Sequence, residues 1–296
     1  MQIDPQVRRK AIIKDLQNAR SGYPDLWRRV TDEWRTAENG HHAWLTYAAN
    51  YLFSFDGFKW ALDPFAMPSR IKDMPFPDYR VDLAALSLIV LTHAHNDHLD
   101  VNLVRALKDT GVEWVIPVYV QDVLQHYNAM PEKNVITPAA GEEIKRGGIR
   151  LLPFESLHRH GGHGVPETGY LVESAGGRWL FPGDIRYYDI TRLPGFGRLD
   201  GAVAHLWLGK AGALDAQPPK LDAFCDFFTG LDVEHLFITH LNEFGRDERD
   251  LWCGEHFELA KAGLNRRKPG LRVAKYLMGD RMTLNPVTGK TENTTQ

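Results

Sequence analysis

The spacing of apolar and polar positions divides the chain into a helical beginning and a longer stretch of strands and helices. Between residues 5 and 36 apolar side chains recur every three or four positions, which predicts two helices, the second beginning near Pro24. From His42 onward the period shortens to two. Strands are predicted there over residues 43–47, 51–55 and 58–62.

The rest of the chain alternates between strand and helix patterns. Strands are predicted at 86–91, 114–117, 134–137, 149–154, 169–173, 178–181, 201–207, 235–239 and 273–277. Helices are predicted at 99–108, 221–228 and 247–263, a proline-rich loop at 64–80, and a frayed tail from 288. Sheets covered by helices on their outer faces satisfy this order, so we expect the α/β class. The pattern alone does not distinguish among the folds of that class.

Composition and charge exclude several classes of protein. Among 296 residues, 35 are Lys or Arg and 38 are Asp or Glu, which argues against a strongly basic, nucleic-acid-binding face. Two cysteines are too few for a disulfide framework. The first residues do not resemble a signal peptide, and the longest apolar run, at 86–91, is too short to span a bilayer. We therefore expect a cytoplasmic protein without a membrane span.

A segment rich in histidine and aspartate follows the predicted strand at 86–91. It is Thr92-His93-Ala94-His95-Asn96-Asp97-His98-Leu99-Asp100. His93 and His95 are two positions apart and can face the same way. Asp97 and His98 lie where the next helix begins, so they can turn back toward the same cavity. Neutral imidazole and carboxylate are ligands of Zn²⁺ and related divalent ions, so the segment predicts a metal site.

This segment resembles the signature of the metallo-β-lactamase superfamily of metallohydrolases. The resemblance covers about residues 42–280 and implies a four-layer αβ/βα sandwich with a metal site at one edge of two packed sheets. The N-terminal helices lie outside it, so we expect a helical extension at 1–40 and a hydrolase domain at 41–296. Later in the family's order come a third histidine, a bridging aspartate and a last histidine, for which this chain offers His158, Asp184 and His240.

The resemblance implies a site for two divalent ions, with Zn²⁺ as the first candidate and Mn²⁺ or Fe²⁺ as alternatives. The implied ligands are His93, His95 and His158 for one ion, Asp97, His98 and His240 for the other, and Asp184 as the bridge. Asp97 is also the predicted catalytic residue, which orients the nucleophile or accepts its proton. Asp63 and Asp100 are predicted to support ligand imidazoles. Their alternative roles are a strand-end turn for Asp63 and a charge at a helix N-terminus for Asp100.

The third histidine ligand has competing candidates in the segment His158-Arg159-His160-Gly161-Gly162-His163-Gly164. His158 is favoured because it is closest to the preceding strand. His160 and His163 lie among glycines and are predicted to contact the substrate, with a solvated polar loop as the alternative. Further substrate contacts are predicted just after the later ligands, at Arg186, Tyr188 and Asn242. Six other histidines, His205 among them, are assigned no special role.

The implied activity is hydrolysis of a small anionic, lactone or ester substrate by a hydroxide held on two metals. The segment looks most like the branch that contains ascorbate-6-phosphate lactonase and N-acylphosphatidylethanolamine phospholipase D-like proteins, so phosphodiester cleavage is the alternative. True β-lactamase activity is disfavoured, because two subclasses place a cysteine where this chain has Asp184. A non-catalytic metal-binding protein is the alternative of a different class, and a homo-oligomer stays open.

Overall fold

The computed structural model describes residues 4–286, in which the strands form two seven-stranded sheets. The first sheet contains β1 (His41–Leu45), β2 (Tyr51–Phe55), β3 (Phe58–Leu62), β4 (Leu88–Val90), β5 (Glu113–Val115) and β6 (Val135–Ile136). The second contains β7 (Ile144–Arg146), β8 (Ile149–Glu155), β9 (Thr168–Ser174), β10 (Gly177–Phe181), β11 (Leu199–His205), β12 (Val233–Thr239) and β13 (Arg272–Lys275). β14 (Arg281–Thr283) returns to the first sheet, and the strand orders are β14-β1-β2-β3-β4-β5-β6 and β13-β12-β11-β10-β9-β8-β7.

Helices cover the outer face of each sheet. Those beside the first sheet are α1 (Pro5–Thr36), α2 (Tyr79–Asp82), α3 (Val101–Leu107) and α4 (Val118–His126). Those beside the second sheet are α5 (Leu221–Gly230) and α6 (Gly254–Arg267). A third apolar core lies between the sheets, where Phe53 stacks on Trp60 with ring centroids 3.8 Å apart. Three cores between four layers confirm the predicted αβ/βα sandwich with an N-terminal helix.

The strand directions bring several chain ends to one edge of the sandwich. β3, β4, β5 and β6 run parallel to one another, as do β10, β11, β12 and β13. In parallel strands the carboxyl ends meet at one edge of the sheet, which is where open α/β sheets bind ligands. The segments that follow β4, β10 and β12 therefore leave their sheets at that edge.

The N-terminal region is one helix rather than the predicted two. Pro24 lies inside α1, although proline removes a backbone donor and crowds the preceding turn. Tyr23, Trp27 and Trp34 of α1 are buried in the same core as the first sheet, and this packing offsets the cost of the proline. The division at residue 40 stays a prediction, since α1 and the sheet share one core. None of the described helices is long and apolar enough to span a bilayer.

The predicted helix at 247–263 is wrong at its beginning. Residues 247–253 are irregular, and α6 begins only at Gly254. Leu251 packs in the core beside the first sheet and Trp252 in the core beside the second. Consecutive side chains of a helix point only about 100° apart, so they reach two opposite cores less easily than those of an irregular segment. Three elements, α4, β7 and β14, were not predicted from the sequence. The tail predicted from residue 288 lies outside the described residues.

Trp34→Ala is expected to destabilise the protein by about 3–5 kcal/mol, because it deletes a buried indole. The Trp34 side chain is fully buried, and its Nε1 donates to the Phe53 carbonyl at 2.8 Å. Urea denaturation measures the change in the free energy of unfolding. Val7→Ala on the same helix is the control, because Val7 is 64% exposed and its loss is expected to cost under about 0.5 kcal/mol. Equal effects of the two substitutions would show that α1 does not contribute to the core.

Candidate metal centre

A first cluster of ligand groups forms where strands of the two sheets end at the same edge. His93 and His95 follow β4, His158 follows β8, and Asp184 follows β10. One ligand atom from each of these four residues lies within 4.8 Å of the others. The His95 and His158 rings are 4.7 Å apart, centroid to centroid. His160 and His163 do not belong to this cluster, and they pair with each other in the loop that follows.

A second cluster shares Asp184 with the first. It consists of Asp97, His98, Asp184 and His240, again with one ligand atom from each within 4.8 Å of the others. His240 directly follows β12 and has a φ of 64°, in the left-handed region that non-glycine residues seldom adopt. Its amide donates to the Ala48 carbonyl at 2.7 Å, which holds this backbone conformation. The structure thus brings together the seven side chains that the sequence analysis selected as ligands.

Unpaired ring nitrogens show that these clusters suit metal ions. Nε2 of His93, His98 and His158 is buried, with no hydrogen-bond partner among the described residues. A buried polar group left without a partner costs about 1–3 kcal/mol, which a bound cation would offset. Imidazole nitrogen and carboxylate oxygen together form the donor set of Zn²⁺ and similar divalent ions. The residues present therefore fit two divalent cations with Asp184 between them.

Asp63 fixes the orientation of His98. Its Oδ2 lies 2.8 Å from His98 Nδ1, and its Oδ1 accepts a hydrogen bond from the Thr92 amide at 2.8 Å. With Nδ1 held in this way, Nε2 of His98 faces the second cluster. This is the supporting contact that the sequence analysis expected of Asp63.

Asp100 does not make the contact expected of it. Its Oδ1 accepts hydrogen bonds from the amides of Asn102 and Leu103 at the beginning of α3, and its Oδ2 accepts one from the Tyr79 hydroxyl. None of these partners is a candidate ligand. The alternative role, a charged group at a helix N-terminus, describes Asp100 correctly.

Glu167 supports both clusters, and the sequence analysis missed it. This buried carboxylate lies 2.9 Å from His93 Nδ1 and accepts hydrogen bonds from the Asp184 amide at 3.0 Å and the Ser156 hydroxyl at 2.8 Å. Burial alone would raise the pKa of Glu167, but the neighbouring His93 lowers it to about 2. The side chain is therefore a carboxylate that orients one ligand and holds the backbone of another.

Glu167→Gln is expected to weaken metal binding about 10- to 100-fold, the usual cost of losing a partner behind a ligand histidine. Glutamine keeps the size of the side chain but replaces one accepting oxygen with a donor. Titration of the metal-free protein with Zn²⁺ measures the affinity, and thermal melting checks that the fold is kept. Glu132→Gln, at an exposed position, is the matched control. Unchanged Zn²⁺ affinity in Glu167→Gln would show that Glu167 does not support the metal ligands.

His205, to which the sequence analysis assigned no role, contacts the shared residue of the two clusters. Its Nδ1 is 2.9 Å from Asp184 Oδ1, and its Nε2 is 3.0 Å from the Tyr51 hydroxyl. The same hydroxyl is 2.7 Å from Thr239 Oγ1. Burial lowers the pKa of His205, so the ring is neutral at physiological pH and donates to Asp184 through Nδ1. This network fixes the carboxylate that the two clusters share.

The charges of the two clusters differ. Burial, together with the neighbouring His93 and His158, lowers the pKa of His95 to about 3, so its ring is neutral as a metal ligand requires. In the second cluster burial opposes protonation of His98 and His240, but Asp184 and other nearby carboxylates raise both pKa values. The carboxylates of the second cluster therefore attract positive charge, and a bound cation would take the place of the protons on His98 and His240.

A cavity of about 540 Å³ opens beside the clusters, within the range of small-molecule sites. His95 and His158 line it, together with three of the predicted substrate contacts, His160, His163 and Arg186. Aromatic and charged side chains complete the wall: Tyr187, Trp207, Lys210, Lys220, Arg246 and Asp250.

Two predicted substrate contacts lie elsewhere. The Tyr188 hydroxyl donates to the Trp207 carbonyl, and the Tyr188 ring packs against Phe224 and Phe227 in the outer core. Asn242 forms a turn with a φ of 54°, and its amide donates to the Trp252 carbonyl. Neither residue lines the cavity. The sequence analysis chose Tyr188, but the adjacent Tyr187 is the tyrosine that lines the cavity.

Two arginines of the cavity wall pair with candidate ligand carboxylates. Arg186 Nη2 lies 2.5 Å from Asp184 Oδ2, and its guanidinium lies 4.8 Å from the centre of the Trp207 ring. Arg246 Nη2 lies 3.1 Å from Asp97 Oδ2, and Arg246 also pairs with the buried Glu243. Glu243 Oε2 is in turn 3.2 Å from His240 Nε2. Each arginine therefore lines the cavity and contacts a candidate metal ligand at the same time.

A two-sheet sandwich with histidine and aspartate clusters at its strand ends defines the class of metal-dependent hydrolases with a metallo-β-lactamase fold. Residues 54–241 match the family described as the beta-lactamase superfamily domain, and the chain belongs to this family. The match contains the strand and helix units that carry all seven candidate ligands.

Solved structures share the fold at low sequence identity. YhfI of Bacillus subtilis, a metallo-beta-lactamase fold protein, aligns with a TM-score of 0.60 and 13% identity over 82% of this chain and 99% of that chain. Igni18, a metallo hydrolase of Ignicoccus hospitalis, aligns with a TM-score of 0.55 and 17% identity over 82% of this chain and 97% of that chain. These similarities support the architecture alone.

A curated relative matches part of the chain. N-acyl-phosphatidylethanolamine-hydrolyzing phospholipase D 1 of Caenorhabditis elegans is 24% identical in an alignment of 184 residues that covers 54% of this chain and 51% of that protein. The chain therefore spans about half the length of the curated relative that it matches.

Proposed function

We propose that the protein hydrolyses a small anionic lactone or ester at a centre of two divalent metal ions. The observation that carries this proposal is that the two ligand clusters share Asp184 and adjoin a cavity of about 540 Å³. The first ion would be held by His93, His95 and His158, and the second by Asp97, His98 and His240. Zn²⁺ is the first candidate, because imidazole predominates in the donor set.

Two divalent ions held here would lower the pKa of water toward neutrality and supply a hydroxide nucleophile. The protein's own groups then orient and stabilise the reactants. Hydrogen bonding with His240 and the charges of His98 and Arg246 outweigh burial and hold the pKa of Asp97 well below its usual range. Asp97 is therefore a carboxylate that accepts a hydrogen bond from the water and orients it. Arg186 and Arg246 place positive charge where an oxyanion develops.

Phosphodiester cleavage is the second candidate activity. It is favoured by the name of the curated relative, a phospholipase D, and by the cationic side chains of the cavity, which suit a phosphate oxygen. The same ligand set serves carbonyl and phosphoryl substrates, because in both reactions the metals stabilise negative charge on oxygen. Substrate preference therefore depends on the cavity.

A panel of substrates tests the proposal. The protein, loaded with Zn²⁺ and separately with Mn²⁺, is assayed against lactones, carboxylic esters and phosphodiesters, with Asp184→Ala protein purified in parallel to reveal contaminating hydrolases. We expect turnover of a lactone or ester by the wild type alone. Preferential turnover of a phosphodiester would select the second candidate. No turnover of any class by the metal-loaded protein would favour the non-catalytic alternative.

A closed structural site does not match this geometry well. Structural zinc sites have four protein ligands and no open position. Here His95 and His158 line a cavity large enough for a small molecule. The open side of the first cluster therefore favours catalysis over a purely structural role.

A further inference from the structure

A second cavity, of about 200 Å³, lies between α1, α2 and the proline-rich loop on the outer side of the first sheet. We call it the α1 cavity. Tyr23, Trp27, Phe76 and Asp82 line it together with three prolines, and none of the seven candidate metal ligands does. Its volume is below the roughly 300–1,000 Å³ of drug-sized sites, so it suits a small compound.

Three aromatic rings give the α1 cavity its apolar surface. Tyr23 and Trp27 are only 2% and 4% exposed, so they form the floor. Phe76 is 51% exposed and forms the rim. The Trp27 ring lies 6.2 Å from the Tyr23 ring and 6.0 Å from the Tyr79 ring, centroid to centroid, and this packing holds the floor in place. The faces of such rings carry negative partial charge and attract cations.

The acidic side chain of the α1 cavity is not neutralised. Asp82 Oδ2 accepts a hydrogen bond from Trp27 Nε1 at 2.9 Å, and no ion pair within residues 4–286 includes Asp82. Arg28 also lines the cavity, but its Nη1 lies 2.8 Å from Asp25 Oδ1. The cavity therefore keeps a negative charge beside its aromatic faces, which favours a cation over an anion.

Stiff segments of the chain form the α1 cavity. Pro75 and Pro77 fix the backbone φ on either side of the rim residue. Arg20 Nη2, on α1, lies 3.3 Å from the carbonyl oxygens of Lys72 and Asp73, which ties the loop to the helix. A cavity that is formed before its ligand arrives loses less entropy on binding.

We propose that the α1 cavity binds a small quaternary ammonium compound, with its methyl groups against the rings and its charge beside Asp82. A quaternary ammonium has no N–H donors, so it needs no hydrogen bonds from a wall of rings and prolines. A primary ammonium is strongly hydrated and would lose its water here without enough replacement partners. Because the site is separate from the metal centre, the inference does not depend on the proposed hydrolytic activity.

Choline and its uncharged analogue, in which a carbon atom replaces the nitrogen, are a matched pair of probes with nearly the same shape. Saturation-transfer NMR titrations of the full-length protein measure the two dissociation constants. We expect choline to bind about 10-fold or more tightly than the analogue, the value of a cation held over aromatic faces away from water. Equal or tighter binding of the uncharged probe, or no binding of choline, would overturn the proposal.

Two substitutions locate the ligand. Asp82→Asn keeps an oxygen that accepts the Trp27 hydrogen bond but removes the charge, so we expect about 10-fold weaker choline binding and unchanged binding of the uncharged analogue. Phe76→Leu keeps an apolar side chain but removes a ring face, and is expected to weaken choline binding about 3-fold or more. Asp109→Asn, at an exposed position outside the cavity, is the control. Choline affinity that neither substitution lowers would overturn the assignment to this cavity.

Larger ligands that carry the same trimethylammonium group are tested in parallel. A peptide containing trimethyllysine and vesicles of phosphatidylcholine are titrated at matched concentrations of that group. We expect neither to bind more tightly than free choline, because the α1 cavity has room only for a small compound. Binding of either one about 10-fold more tightly than choline would overturn the small compound as the ligand.

Discussion

Asp184→Ala is expected to lower kcat/KM by more than about 100-fold and to reduce the bound metal from two equivalents to one or fewer. Loss of a partner behind a ligand already costs about 10- to 100-fold, so loss of the shared ligand costs more. Asp184 belongs to both clusters, and it is held by His205, Arg186 and the carboxylate of Glu167. Steady-state kinetics and metal analysis of the purified variant measure the two effects.

The control for this prediction is Asp122→Ala, at an exposed position on α4. It is expected to keep wild-type activity and both metal ions. Far-ultraviolet circular dichroism of both variants checks that the sheets are formed. Wild-type turnover by folded Asp184→Ala protein would exclude Asp184 as the ligand shared by two metals.

His158→Ala and His163→Ala are expected to differ sharply, although both histidines come from the same loop. His158 lies in the first cluster, with its ring centroid 5.2 Å from that of His93 and its Nε2 unpaired within residues 4–286. We expect His158→Ala to lose one metal equivalent and more than about 100-fold in kcat/KM, since a ligand contributes more than a group behind one. His163 only lines the cavity, so His163→Ala is expected to keep both metals and to change mainly KM.

The two variants are compared by metal analysis at equal protein concentration and by kinetics under excess Zn²⁺. Each is the other's control, because both delete an imidazole from the segment 158–164. Loss of metal in His163→Ala with full metal in His158→Ala would reverse the assignment of the third histidine.

Four of the seven candidate ligands could be predicted from a single short segment. His93, His95, Asp97 and His98 lie within six positions after a buried strand, so their convergence depends only on one strand end and one turn. The hairpin of β9 and β10 was also predictable, because two strand patterns flank a pair of glycines. Features determined by neighbouring residues were accessible in this way.

Groups whose role depends on distant contacts were not predictable. Glu167 has no motif around it, and its importance follows from His93, 74 positions earlier, and from the backbone of Asp184. His205 ends a strand and reaches Asp184 only because β10 and β11 are neighbours in the second sheet. The long range of these contacts removes any periodic or local signal.

Competing local roles explain the wrong predictions. Asp100 follows a ligand segment but also precedes a helix, and capping that helix satisfies its carboxylate. Pro24 is typical of a helix start, but the aromatic side chains on either side of it are buried against the first sheet. For Asp100 the sequence analysis had left both roles open, whereas at Pro24 it predicted only a helix start, which packing overrides.

The number of metal ions per chain is the most direct test of the proposed two-metal centre. The purified wild-type protein is stripped with a chelator, reloaded with Zn²⁺ and freed of excess ion. Plasma mass spectrometry then measures its metal content, and a crystal structure of the same sample locates the ions. We expect two equivalents, one beside His93, His95 and His158 and one beside Asp97, His98 and His240, with Asp184 contacting both. A single ion closed by four protein ligands would contradict it.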